Sequence, residues 1–342
     1  MGFEDRQVSV LRAQKGLNIH PFQFNSLFQN LDSILTLLTK FTSIFTLISS
    51  KPIFSPHLPI LLSLVCVISL FSGCAGTGAS PDTLLEQNGA FLIRQARENW
   101  EHRDQEEAAY RALFFWKEAL SIFPDRQDLN VEFAHACFFV SRYWEEDPPV
   151  RDSLFQAGAR RLEDLLFPPD GISPDTAQSI RDNPSTRVRR IESVPDDQLI
   201  PLYWWSVNRI FYLIDQPVVE RVEYREVLEA ALHRILTGLP NYDQGGIYRL
   251  FGTFYARLPG VELERAEKYF SQAREAYPAC FAAVVQQAQY LDTKAGNRDR
   301  FHEELTRIIR ADPTVDPNIL PENVRDQALA AKLLEQETYL FE

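Results

Sequence analysis

Residues 245–278 read GGIYRLFGTFYARLPGVELERAEKYFSQAREAYP, and the reading of this stretch decides the fold. Tyr248, Phe251, Gly252 and Tyr255 recur at intervals of one, three and four, which puts them on one stripe of a helix. A glycine inside a helix costs stability, and it is useful where another helix must approach the backbone closely. Leu258-Pro259-Gly260 then breaks the chain direction. Beyond the break, Ala266, Phe270 and Ala273 are spaced by four and three, and Pro278 stops a second helix. Small residues flank one aromatic on the second helix, and a glycine awaits it on the first. The stretch therefore predicts two antiparallel helices packed with Gly252 against the second.

The same offsets return 154 residues earlier at Ala112, Trp116, Ala119 and Pro124. Two copies of one spacing resemble the helix–turn–helix unit of tetratricopeptide (TPR) repeats, against the plainer alternative of an ordinary amphipathic hairpin. Pro313 follows Pro278 by 35 residues, close to the period of roughly 34 of that repeat. The expected fold is all-α, a TPR-like α-solenoid of antiparallel helix pairs over residues 81–342. Helices are expected at 81–100, 106–123, 130–143, 151–167, 198–214, 218–236, 280–293 and 298–311, with a last one at 322–341 capping the stack. Residues 168–197 interrupt the pattern with five prolines and a basic cluster, Arg187, Arg189 and Arg190. They read as a surface excursion, a lid or an interface.

The N-terminal part follows other rules. Residues 58–71 form an apolar run of 14 residues after Lys51, too short to span a bilayer and suited to a signal-peptide core. Ser72-Gly73-Cys74 closes it, and small residues before a cysteine resemble the lipobox of bacterial lipoproteins, which makes Cys74 the lipidation site. Residues 74–80, rich in Gly, Ala and Ser, then read as a flexible tether. Residues 1–73 are expected to comprise an N-terminal extension from a start assigned too far upstream, followed by the signal peptide. A genuine extension with a second membrane segment is the alternative.

Of 35 basic and 47 acidic residues, five and three precede Cys74, which leaves a net charge of −14 beyond it. That excludes the basic footprint of a nucleic-acid-binding surface. Cys137 and Cys280 lie in apolar helical contexts and are expected to be buried free thiols. Glu132-x-x-His135 has the spacing of half a di-iron site, but no second pair accompanies it. No phosphate-binding loop, nucleophile elbow or cysteine–histidine pairing is present, so neither catalysis nor a cofactor or metal is expected.

Two stretches exceed ordinary core needs. Tyr203-Trp204-Trp205 sits in a helix apolar on nearly every side, and successive residues there turn by about 100°, so the three rings must face different neighbours. Arg249 and Tyr255 lie just beyond Gly245-Gly246. Together these five residues are the candidate lining of a ligand or partner groove, with Arg249 reaching either a ligand carboxylate, an acidic partner or an internal counter-ion.

At this point the chain resembles the T component of tripartite ATP-independent periplasmic (TRAP) transporters. The matching pieces are Cys74, Leu202-Tyr203-Trp204, Gly245-Gly246-x-x-Arg249-x-x-Gly252-x-x-Tyr255-Ala256-x-x-Pro259, the helix ending at Pro278, and Ala328-x-x-Ala331-x-Leu333-Leu334. Pro259-Gly260-Val261-Glu262 departs from the expected turn. The resemblance implies a TPR-type periplasmic lipoprotein that works beside a TRAP-type substrate-binding protein and holds an apolar ligand path, for which a small apolar acid is the expected occupant. Ala75, at the second position after cleavage, is not the Asp that retains lipoproteins at the inner membrane, so the outer membrane's periplasmic face is the expected location. The resemblance also leaves self-association open. A scaffold lipoprotein in outer-membrane or envelope assembly is the alternative reading.

Overall fold

The computed structural model describes residues 81–167 and 184–342, which belong to one compact unit. The signal peptide, Cys74, the tether and residues 168–183 lie outside the described residues. Within them every regular element is helical and no strand occurs.

Four long helices come first: α1 (Pro81–Trp100), α2 (Glu106–Ile122), α3 (Gln127–Tyr143) and α4 (Pro148–Leu166). Short turns force α1 against α2 and α3 against α4 as antiparallel pairs, and α2 packs on α3 to join the pairs. Ala112, Trp116 and Ala119 are all buried on α2, as the spacing required. Pro148 and Pro149 open α4, where the missing amide hydrogens cost nothing.

Part of the supposed excursion is ordered. Residues 184–192 form α5 (Pro184–Glu192), which packs on the later helix α8, and Ile191 and Val194 are buried. The sequence reading missed this helix because it opens on Pro184 and only ten residues separate that proline from Pro195.

Helix α6 (Leu199–Leu213) is the centre of the unit. It contacts α3 and α4 on one side and α8 and α9 on the other, so nearly all its residues are buried. On α4, a Cβ added at Gly158 would meet the Asn208 side chain of α6 at 2.7 Å, which shows how closely the two backbones approach. The expected helix at 218–236 is broken into α7 (Val218–Glu223) and α8 (Arg225–Gly238) at Tyr224.

The quoted stretch forms α9 (Tyr242–Arg257) and α10 (Leu263–Ala276). Ala266, Phe270 and Ala273 are buried, and a Cβ at Gly252 would meet the Phe270 ring at 2.8 Å. The hairpin register is thus the expected one. After it come α11 (Ala282–Gln286), a π-helical turn (Gln287–Asp292) and α12 (Thr293–Ala295), then α13 (Arg298–Arg310), α14 (Leu320–Glu335) and α15 (Glu337–Leu340). Arg300 bridges Asp292 of the π turn to Glu267 of α10.

The last helices do more than cap the end of the stack. Arg103, in the α1–α2 turn, clasps Glu322 of α14 through two bonds of 2.7 Å. The Tyr143 hydroxyl donates to Asp326 at 2.9 Å, Arg325 lies 3.5 Å from the Trp144 ring centroid, and Lys332 pairs with Glu146. The first and last helix pairs therefore meet, and the stack closes on itself.

Candidate functional site

Where the stack closes, α3, α6, the start of α9, α11 and the start of α14 leave a cavity. Its space for water centres is about 40 Å³, room for about three waters at roughly 10–15 Å³ each. Phe138, Phe139, Trp204 and Phe211 are among the lining side chains, beside the polar Asp243, Gln244, Arg249, Gln286 and Glu322.

The 100° step along α6 sends its three consecutive aromatics to three neighbours. Tyr203 turns toward α9, where its hydroxyl donates to Asp243 Oδ2 at 2.5 Å. Trp204 turns toward α3 and stacks on His135 with ring centroids 3.8 Å apart, while its Nε1 donates to the Tyr242 hydroxyl at 3.0 Å. Trp205 points away, edge-on to Phe167, and lines a different pocket. Tyr203 and Trp204 thus share the cavity and Trp205 does not.

Arg249 also lines the cavity, but its charge is engaged. Its Nη2 donates to Asp243 Oδ2 at 2.7 Å and its Nη1 to the Gln244 carbonyl at 2.9 Å, with only 9 % of the side chain exposed. Of the three partners the sequence left open for this residue, the structure contains the internal counter-ion. The geometry behind it is unusual: Asp243, Gln244 and Gly245 all have left-handed backbone angles, with φ of 51°, 50° and 69°. Two of the three are not glycine, and such residues pay for this conformation unless neighbours hold them. Arg249 is the hold. Gly246 is needed as well, because a Cβ there would overlap the Tyr203 hydroxyl and crowd the Asp243 carboxylate. The Gly245-Gly246-x-x-Arg249 run is therefore one device, a left-handed turn clamped by the helix it opens.

Tyr255 lies elsewhere. It is buried between α9 and α10, near Phe251 and Tyr269, with the Arg265 guanidinium 4.3 Å from its ring centroid and bonded to its hydroxyl. The helical period that places Arg249 on the cavity side carries Tyr255, six residues on, to the hairpin seam.

Several lining residues were not anticipated. Asp243 lies six residues before Arg249, a separation that no regular helix pairs, so only the left-handed turn brings them together. The cluster Asn241-Tyr242-Asp243-Gln244-Gly245 carries turn composition, which was the available signal. His135 was set aside with Glu132, and the two point apart: Glu132 bonds Arg97 and Trp116, while His135 faces Trp204. Burial holds the imidazole well below its ordinary pKa, with the Arg103 charge adding to the effect, so it is neutral. Cys280, also on the wall, is pushed up to about 11 by burial and is an unreactive thiol. Both Cys137 and Cys280 are free and buried. Among the described residues no three His, Cys, Asp or Glu side chains group as metal ligands, and no helix is long and apolar enough to cross a membrane.

Residues 171–341 match the family described as TRAP transporter T-component. The chain belongs to that family. No curated protein matches it. The match takes in α5 to α15, so in this T-component it covers the clamped turn, Tyr203, Trp204 and the closing helix, while His135 and its helix α3 lie upstream of it. The family is a transport component and not a class of enzyme.

Proposed function

We propose that this T-component is a periplasmic, lipid-anchored TPR-type protein that assists a TRAP-type uptake system by binding its substrate-binding protein. Family membership over residues 171–341 carries the reading. The acidic balance beyond Cys74 suits a protein-binding role better than a nucleic-acid one. The ligand part of the reading rests on the central cavity, whose aromatic side chains suit a small apolar molecule. An apolar acid that reaches Arg249 shares or contests its guanidinium with the internal carboxylate of Asp243.

The test is calorimetry of the full chain against a TRAP-type substrate-binding protein, with fractionation of cells carrying Cys74→Ala alongside. Saturable binding, and a membrane-bound product that becomes soluble or unprocessed in the variant, are expected. A partner that shows no heat of binding removes the first half of the proposal. An unchanged membrane fraction for Cys74→Ala removes the anchor.

A further inference from the structure

Helix α7 buries none of its residues, although three of its six are valine. Val218, Val219 and Val222 are exposed by 50 %, 76 % and 49 %. At about 100° per residue the three fall within one arc of about 100°, a single stripe. On the other side of the break at Tyr224, α8 buries Val227 and Leu228. The break thus leaves the valines of α7 outside the core. Single exposed valines need no explanation, whereas three on one stripe with polar neighbours mark a contact surface.

Cations gather at one edge of that stripe. Arg221, which borders it, donates from Nη1 to the Arg257 carbonyl at 2.7 Å. Arg257 Nη2 donates to the Ile214 carbonyl at 3.0 Å, and Lys294 Nζ to the Ala256 carbonyl at 2.8 Å. All three bonds end on backbone carbonyls at the ends of α6 and α9. Among the described residues no carboxylate forms an ion pair with any of the three. Asp215, whose charge Arg221 feels, is paired with Arg151 at 3.0 Å. A helix C-terminus carries about half a negative charge, so the two ends offset roughly one cation of the three. The rest is felt as repulsion: partial burial, with the charges of Arg257 and Arg221, holds the Lys294 ammonium below its ordinary pKa.

We propose that the valine stripe of α7, with Arg221, Arg257 and Lys294 at its edge, docks a protein that presents an acidic side chain beside an apolar patch. Under the partner-binding reading, on which this rests, that protein is the substrate-binding protein. Charge complementarity selects the occupant: a carboxylate answers the excess positive charge, and the valines supply an apolar contact that a free anion would not need. An anionic bilayer fits less well, because Glu220 and Glu223 share the short helix with Arg221 and would face the same leaflet charge.

The experiment is calorimetry of the full chain against a TRAP-type substrate-binding protein, at two salt concentrations. Val219→Asp and Lys294→Glu are compared with Val315→Asp, a change at an exposed valine beyond α13. Each of the first two should weaken binding by about tenfold or more at a nearly unchanged melting temperature, and Val315→Asp should bind as the parent does. Lys294→Glu should also flatten the fall of affinity with salt, which a merely structural defect would not do. If the parent binds and either Val219→Asp or Lys294→Glu binds as tightly, the face is overturned and the partner reading stands. If the parent shows no heat of binding, both fall together. Two further results overturn the assignment: an oligomer of the parent that Val219→Asp dissociates makes the stripe a self-contact, and co-sedimentation with phosphatidylglycerol vesicles that Lys294→Glu weakens makes it a membrane contact.

Discussion

At the scale of single residues, the decisive contact is the one between Arg249 and Asp243. A surface ion pair of this length would contribute little, but here the guanidinium is almost wholly enclosed, and it also accounts for a strained turn. Arg249→Ala should lower stability by about 3 kcal/mol, the low end for breaking a buried pair, because Asp243 keeps some contact with water. Urea denaturation measures it, and a midpoint equal to that of the parent would mean the turn holds itself. A second residue, Asp326, sets a pH dependence. Burial pushes its carboxyl up to about 6, partly offset by Arg142 and by the Tyr143 hydroxyl. Unfolded, the group titrates near ~3.9. Between those values the folded chain keeps a proton that the unfolded chain releases, so stability falls as pH rises from about 4 to about 6. The loss from this one group is roughly 2–3 kcal/mol, complete above the folded value. Asp326→Asn should abolish that slope while other carboxylates keep theirs, and identical pH profiles for variant and parent would refute the assignment.

At the scale of elements, the helix pair α9–α10 shows how spacing turns into packing. Gly252 admits the Phe270 ring, and Ala266 and Ala273 leave room on either side of it. Gly252→Leu should overpack the seam by roughly 1–3 kcal/mol or more, since a close-packed interior has no slack for four added carbons. Thermal denaturation with an unchanged melting temperature would contradict the register. This much was legible in the sequence, because helix–helix contact repeats with the helical period. The boundaries of α1, α2 and α6 were also legible to within one or two residues. The break between α7 and α8 was not: residues 218–236 carry no proline or glycine, and the interruption at Tyr224 leaves no mark in composition. The π turn of Gln287–Asp292 was hidden for the same reason.

At the scale of the whole unit, closure of the stack rests on contacts more than 180 residues apart in sequence. Arg103–Glu322 is the strongest candidate for a fastener, since both side chains are largely enclosed, at 11 % and 21 % exposure. A double-mutant cycle with Arg103→Ala and Glu322→Ala should give a coupling of about 1–3 kcal/mol, between the values for exposed and fully buried pairs. A coupling near zero would mean that α14 is held by its apolar contacts alone. Closure also explains the candidate site. The central cavity borrows its wall from α3, α6, α9, α11 and α14, so it exists only when α14 reaches back to α3.

By itself the sequence determined the fold class, the paired helices, the buried small and aromatic positions of α2 and α10, and the divergence of Tyr203, Trp204 and Trp205. All of these follow from the helical period and from residue size, which act over a few turns. Only the tertiary structure decided that Arg249 faces an internal carboxylate, that Trp205 and Tyr255 leave the central cavity, and that His135 enters it. It also decided that α14 returns to α1 and α3. Those outcomes depend on a left-handed turn at Asp243, Gln244 and Gly245 and on the sum of many small rotations between helix pairs. No local pattern of residues records that sum.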